Sequence, residues 1–315
     1  NKFSNGIIIN DGQFDDSRLN VTVIKTAIAF GAAACNYVNA EKLVTDDNNK
    51  YIGVLLRDKI TGEQFQCNAK TIVNATGPFT DSIRKKADQN CKNICKPSAG
   101  THISMPKYLT EKGVGILITE PNNRVLFMVP WEGTTLVGTS DSACSIVEKL
   151  APTMDQLTSL LSRLSVILVD RNIADVKNIK SSWSSIRPLV ADPKSTPGDS
   201  ASICRKHLVE VKDNIITICG GKWTIFRLMG EDTLKVILKQ QGKQLSKTSK
   251  ELNLYGCTGW TKSFPNHLVD KYNIEPDIAY YLSHGYGIAA EDMVKTGKSL
   301  TRLHKDYPYT EEEVR

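Results

Sequence analysis

The run Ile218-Cys219-Gly220-Gly221-Lys222-Trp223-Thr224-Ile225-Phe226-Arg227 joins an apolar segment to a helix-like one. Two adjacent glycines let a backbone come close to a ligand, and the free amides at a helix start favour anionic groups. Lys222 adds a fixed positive charge at the same junction. By itself a Gly-Gly-Lys turn is equally an ordinary strand-to-helix connection. The run Lys70-Thr71-Ile72-Val73-Asn74-Ala75-Thr76-Gly77-Pro78-Phe79-Thr80-Asp81-Ser82-Ile83 has the same grammar of short buried strand, small-residue turn and helix start. Pro78 falls in the first turn, where its missing amide hydrogen costs little. This segment, too, reads alone as a plain strand, turn and helix. Together the two turns point to one cofactor approached from two sides.

Other chemistry-bearing residues leave alternatives open. His102 is one of five histidines and lies on an alternating strand, so its ring has a definite face. It is either a satisfied or surface imidazole or a substrate and proton-transfer group. Arg187 precedes Pro188 in an apolar setting, where a buried guanidinium needs an anion, either a structural carboxylate or a ligand. Arg205, just before Lys206-His207, is an exposed hairpin charge or a phosphate ligand. Trp131 reads as core, Asp141 as a turn cap, and Asp15 or Asp16 as a helix cap.

The elements that must position these groups are legible in outline. Residues 19–34 have helical spacing. Residues 35–44 and 51–67 read as strands, the latter a hairpin about Lys59-Ile60-Thr61-Gly62-Glu63. Between residues 98 and 140 short strands recur at 101–105, 114–119, 125–129 and 135–139, punctuated by glycine, proline and asparagine, which favours an antiparallel sheet. Residues 152–170 are helical in pattern, and 179–189 re-enter the sheet. Residues 208–219 form a hairpin about Lys212-Asp213-Asn214, and 229–240 form a helix leading to a linker at Gln241-Gly242-Lys243. The alternation predicts an α/β (α+β) chain in which one domain is interrupted by another.

With 315 residues, 40% hydrophobic and 23% charged, the chain can bury a sizeable core. The net charge of +6 comes from scattered basic residues rather than one tract, and no nucleic-acid motif is present. The eight cysteines are dispersed, which favours reduced thiols over a disulfide framework, and no histidine or cysteine pair completes a metal site with Cys91 and Cys95. Sequons occur at Asn20 and Asn74, the second inside the proposed cofactor turn. No run approaches the roughly 20 apolar residues that span a bilayer.

In order and spacing, the two turns and five further motifs resemble the FAD-dependent glycerol-3-phosphate dehydrogenases, particularly the mitochondrial ones. The motifs are Asp11-Gly12-Gln13-Phe14-Asp15-Asp16-Ser17-Arg18-Leu19-Asn20, Ser98-Ala99-Gly100-Thr101-His102-Ile103, Val129-Pro130-Trp131-Glu132-Gly133, Val137-Gly138-Thr139-Ser140-Asp141 and Trp183-Ser184-Ser185-Ile186-Arg187-Pro188-Leu189. The resemblance covers about residues 5 to 240 and continues more weakly through Tyr281-Leu282-Ser283-His284-Gly285-Tyr286-Gly287 to Tyr307-Pro308-Tyr309. One departure stands out. The family opens with a strand, a Gly-x-Gly-x-x-Gly turn and a helix that hold the flavin pyrophosphate, and nothing before Asp11 supplies them. Gly285-Tyr286-Gly287-Ile288-Ala289-Ala290 fits the pattern loosely but follows a helix-like stretch at 276–282. The chain therefore reads as an internal fragment.

The resemblance implies a D-amino-acid-oxidase-like fold with an incomplete flavin domain. Its flavin parts are 1–95 and 186–245, its antiparallel substrate domain 96–185, and its partial C-terminal helical region 246–315. It implies oxidation of glycerol 3-phosphate to dihydroxyacetone phosphate, with FAD as acceptor and ubiquinone beyond it. Such chemistry needs cations for the phosphate, a proton acceptor and an electron acceptor. By resemblance His102, Arg187 and Lys222 are catalytic, and these three with Arg205 contact substrate. Gly220, Gly221, Lys222, Trp223 and Thr224 meet the flavin on one flank, and Ala75, Thr76, Gly77 and Pro78 on the other. Ala40 offers backbone bonds to adenine. The implied protein is peripheral on the inner mitochondrial membrane, binds no metal or nucleic acid, and admits a homo-oligomer. Two rivals remain: a flavin-dependent amine or amino-acid oxidase, and a non-catalytic binding product that lacks the pyrophosphate turn.

Overall fold

The computed structural model describes residues 5–110, 113–120, 125–191, 203–204, 206–245, 252–296 and 300–314. Helix α1 (Asp16–Ala29) starts where Asp15 accepts a hydrogen bond from the Arg18 amide at 2.9 Å. This cap sets the start three residues before the expected one at 19, and the helix stops at Ala29 ahead of the left-handed Gly31, φ +92°. The chain divides into two units, Val38–Ser246 and Asn1–Tyr37 with Lys247–Arg315.

The larger unit opens with the antiparallel sheet β1 (Val38–Thr45), β2 (Tyr51–Asp58) and β3 (Gln64–Asn68). Strand β4 (Ile72–Asn74) follows, then a single 3-10 turn over Gly77–Phe79 and helix α2 (Thr80–Ala87). Next come β5 (Cys95–Pro106), β6 (Ile116–Thr119), β7 (Val125–Trp131), β8 (Thr134–Gly138), β9 (Ser142–Ala143), α3 (Met154–Ser165), β10 (Ser181–Ala191) and β11 (Ile203–Cys204). Among the described residues these strands build one antiparallel sheet in the order β11-β10-β5-β8-β7-β6, with β9 on β5. Helix α3 is shorter than the stretch expected at 152–170, because after Ser165 the chain turns into short 3-10 segments at Arg171–Ile173 and Val176–Asn178.

Side-chain alternation gives that sheet two different faces. Ile103 pairs with Val137 and Val137 with Met128, and together with Met105 and Leu126 they form an apolar face. Leu157, Leu160, Leu161 and Leu164 of α3 recur at helical spacing and bury against it. Thr153 and Gln156 close a reciprocal capping box at the start of α3. The opposite face carries Gly100, His102, Gly138 and Phe127, with Trp183 and Arg187 from β10.

The hairpin β12 (His207–Lys212) and β13 (Ile215–Gly220) turns at Asp213-Asn214, where Asp213 takes φ +55°. Strand β13 then pairs with β4 in parallel, giving the order β12-β13-β4. Helix α4 (Phe226–Gln240) follows β13 through a 3-10 turn at Trp223–Ile225. Leu43, Ile72 and Ile215 form a small core that joins this sheet to the β1 sheet.

In the other unit, α5 (Phe264–Tyr272), α6 (Pro276–Tyr286) and α7 (Ala289–Thr296) pack around Leu268, Ile278, Ala279, Leu282 and Ala290, with the hairpin β14 (Arg302–His304) and β15 (Tyr307–Thr310). The Tyr255 amide donates to Thr26 Oγ1 of α1 at 2.9 Å, and Arg18 lies 4.4 Å from the Tyr286 ring centre. The Gly285–Ala290 run joins two helices, so it has no strand before it.

Candidate active site

Because β4 and β13 are parallel, the turns that follow them leave the same edge of the sheet. Open α/β sheets place ligands at this edge. After β4, the Asn74 carboxamide is 2% exposed, accepts from Thr76 Oγ1 at 2.7 Å and donates to the Thr80 carbonyl at 3.0 Å. Those bonds shape the Ala75–Pro78 turn and leave the Asn74 sequon no room for a glycan. Gly77 takes φ +56° with open space where a Cβ would stand, and Ala75 and Thr76 are exposed.

After β13, Gly220 and Gly221 both take φ +81°. A Cβ on Gly220 would strike Val190 and the Lys206 carbonyl, and one on Gly221 would lie 2.5 Å from Met229 Sδ. Glycine is therefore required here by conformation and by space. Lys222 and Thr224 are exposed, and Lys222 makes no ion pair among the described residues. Trp223 packs its ring 5.1 Å from Phe226, while its Nε1 is buried without a hydrogen-bond partner. A buried donor with no acceptor carries a desolvation penalty that a bound group can remove.

His102 stands in a row of rings across the sheet. Its ring centre lies 5.8 Å from Trp183 and 5.6 Å from Phe127. Gly138, paired with both His102 and Phe127, makes that possible, since a Cβ there would strike the imidazole. Burial first, and the nearby Arg187 charge second, push the His102 pKa down to about 4, so the ring is neutral at pH 7. Its Nδ1 is buried and unpartnered.

Arg187 reaches diagonally over Gly100, where a side chain would collide with the guanidinium. Nη1 donates to Asp141 Oδ1 at 2.8 Å and to the Ser140 carbonyl at 3.3 Å, and Nη2 donates to Thr139 Oγ1 at 2.5 Å. The Thr139 carbonyl is in turn held by Arg163 of α3 at 2.8 Å. Asp141 is thus the arginine's carboxylate rather than a turn cap, a role that its spacing in sequence does not disclose. The next residues of β10 touch the glycine turn: Cys219 Sγ lies 3.9 Å from the Pro188 carbonyl, and Val190 abuts Gly220. β10 also packs on the Gly77–Phe79 turn. One strand therefore joins the His102 and Arg187 face to both turns.

The remaining site expectations divide. Ala40 sits at an irregularity on β1, in a sheet separate from both turns. Arg205 lies outside the described residues. Trp131 is half-buried at the end of β7. Cys35, Cys67, Cys91, Cys95, Cys144, Cys219 and Cys257 are free thiols, and the contact with Cys219 first, with burial after it, pushes the Cys95 thiol up. Gly100, Gly138, Phe127 and Thr139 had no role assigned from sequence; only the strand register exposes theirs.

The family model described as FAD dependent oxidoreductase matches residues 1–233, and that of the C-terminal domain of alpha-glycerophosphate oxidase matches residues 247–315. The chain belongs to the FAD-dependent oxidoreductase family, with its D-amino-acid-oxidase-like fold. It is 38% identical to a probable mitochondrial glycerol-3-phosphate dehydrogenase of Caenorhabditis elegans over 98% of this chain and 44% of the relative. It is 37% identical to the mitochondrial glycerol-3-phosphate dehydrogenase of Rattus norvegicus over 100% of this chain and 45% of the relative. The chain thus spans about half the length of the curated relatives it matches. The crystal structure of a Bacillus halodurans glycerol-3-phosphate dehydrogenase complexed with FAD superposes with a TM-score of 0.75 at 25% identity, covering 89% of this chain and 55% of that one.

Proposed function

We propose that this chain carries the substrate face and part of the flavin cradle for FAD-dependent oxidation of sn-glycerol 3-phosphate to dihydroxyacetone phosphate. The carrying observation is that β10 presents Arg187 beside the neutral His102 and runs directly against the Gly220-Gly221 turn. The relatives' names supply the substrate, and the sheet around β4 and β13 serves the flavin.

The residues fit FAD. In this reading Gly220, Gly221, Lys222, Trp223 and Thr224 line one flank, Ala75, Thr76, Gly77 and Pro78 line the other, and Ala40 meets adenine. The unpartnered Trp223 Nε1 and the open space over Gly77 are what a bound group would use. FAD would supply the two-electron acceptor.

The chain's own side chains bind, orient and take the proton. Arg187, with Arg205, holds the phosphate or the developing alkoxide, since a planar guanidinium offers paired donors to oxyanions. Asp141 and Thr139 fix its plane without using all its donors. His102 or an assisting basic group takes the hydroxyl proton. A phosphate beside Arg187 offsets the cation that depresses His102 and so raises its basicity toward the working pH. Lys222 neutralises negative charge at the glycine turn.

Electrons would pass to ubiquinone, and the relatives' mitochondrial names favour a peripheral place on the inner membrane. Among the described residues no helix is long and apolar enough to cross a membrane. A homo-oligomer is part of the same proposal. The test loads the purified chain with FAD and follows flavin absorbance without oxygen. Bleaching by glycerol 3-phosphate is expected. FAD retention without bleaching, or bleaching by amines instead, would overturn the substrate assignment.

A further inference from the structure

His207 has no part in the chemistry above, yet it sits at the mouth of the glycine turn. It is the first residue of β12 and pairs with Gly220, the last of β13. Its Nε2 lies 3.0 Å from Oδ2 of Asp232 on α4, and its side chain is only 13% exposed. The Gly220–Phe226 junction lies within the chain between these anchors, so the bond ties the strand end to the helix across the turn. Gly221 lies inside the tie: a Cβ there would stand 3.2 Å from His207 Cβ and collide with Met229 of α4.

On α4 Thr233 is buried and Phe226, Met229, Val236, Ile237 and Leu238 are half-buried, while Leu228 and Leu234 are 47% and 40% exposed. The polar tie to His207 adds to this packing in the half of the helix nearer the turn. Lys235 first, and His207 after it, hold the Asp232 carboxyl below the usual range. Lys235 Nζ takes Oδ1 at 2.9 Å, which leaves Oδ2 aimed at His207.

We propose that His207 and Asp232 are positioning residues, a clamp that holds the Gly220–Thr224 turn in the shape that offers Lys222 and the Trp223 indole to the flavin. The proposal rests on the flavin reading above, but the clamp itself is testable without flavin. In the FAD-free chain, amide hydrogen exchange across residues 218–228 should quicken about tenfold in H207A and in D232A, the loss of one partly buried charge-assisted bond. The double variant should be no faster than either single one, and H207Q, which keeps an N–H donor, should return most of the protection. FAD titration should show about tenfold weaker binding for H207A, with a changed bound-flavin absorbance band, and near-normal binding for H207Q. Unchanged exchange in both alanine variants, with cooperative unfolding intact, would overturn the clamp. So would quickened exchange with unaltered FAD affinity and spectrum. Quickened exchange in a chain whose wild type binds no FAD supports the clamp and removes the flavin reading instead.

Discussion

Arg187 acts on His102 through charge, on top of the larger effect of burial. Arg187 lowers the basicity of His102, and Asp141 partly reverses that effect. The Arg187–Asp141 pair is 29% and 42% exposed, so solvent screens it and it adds little to stability. R187A should therefore change the unfolding midpoint little while slowing flavin reduction by glycerol 3-phosphate about 10²–10³-fold, as loss of a preorganised oxyanion donor does. Single-turnover kinetics of FAD-loaded protein, alongside urea titration, separates the two effects. His102 makes a pH prediction. Its folded pKa of about 4 lies below the ordinary 6.5, so between those values the unfolded chain binds a proton that the folded chain does not. Its contribution to stability is intact above pH 6.5 and falls as pH drops toward 4. H102Q should flatten that fall when urea midpoints are compared from pH 7 to 4.

At the scale of elements, the site depends on what lies across from each group. Gly138 is the gap into which His102 and Phe127 lean. G138A should cost about 1–3 kcal/mol through overpacking and displace the imidazole, visible as a shifted His102 titration by NMR. The capping box of α3 also reaches the site. Gln156 Oε1 accepts from the Thr153 amide at 3.1 Å and from Thr101 Oγ1 at 3.0 Å, so the helix start holds the residue next to His102. T153A should lower stability by about 1 kcal/mol, measured by denaturant unfolding.

At the scale of the whole molecule, each unit has its own core. In the larger one the leucine face of α3 covers the apolar side of the long sheet, and the other side carries His102, Trp183 and Arg187. Leu160 is 0% exposed, and L160A should cost about 2–5 kcal/mol by opening a cavity. Calorimetry of the chain with and without saturating FAD completes the test: a ligand that binds only the folded state should raise the melting temperature as its concentration rises.

Much of this was open in the sequence because local rules govern it. Period-2 and period-3.6 patterns marked most strands and helices, Asp213-Asn214 marked the β12–β13 hairpin, and Gly-Gly-Lys and Ala-Thr-Gly-Pro marked two turns. Boundaries at α1 and α3 moved because a capping aspartate and 3-10 turns acted locally in ways the periodicity does not report. Only the tertiary structure decided the rest. The parallel pairing of β4 with β13, which brings the turns to one edge, joins segments about 140 residues apart. The pairing of Arg187 with Asp141, the gap at Gly138 beneath His102, and the His207–Asp232 tie likewise depend on register and docking. The sequence determined which groups are present and what local conformations they can take. Their partners follow from long-range packing, because a side chain's charge state and orientation are set by whatever the fold places within a few ångströms of it.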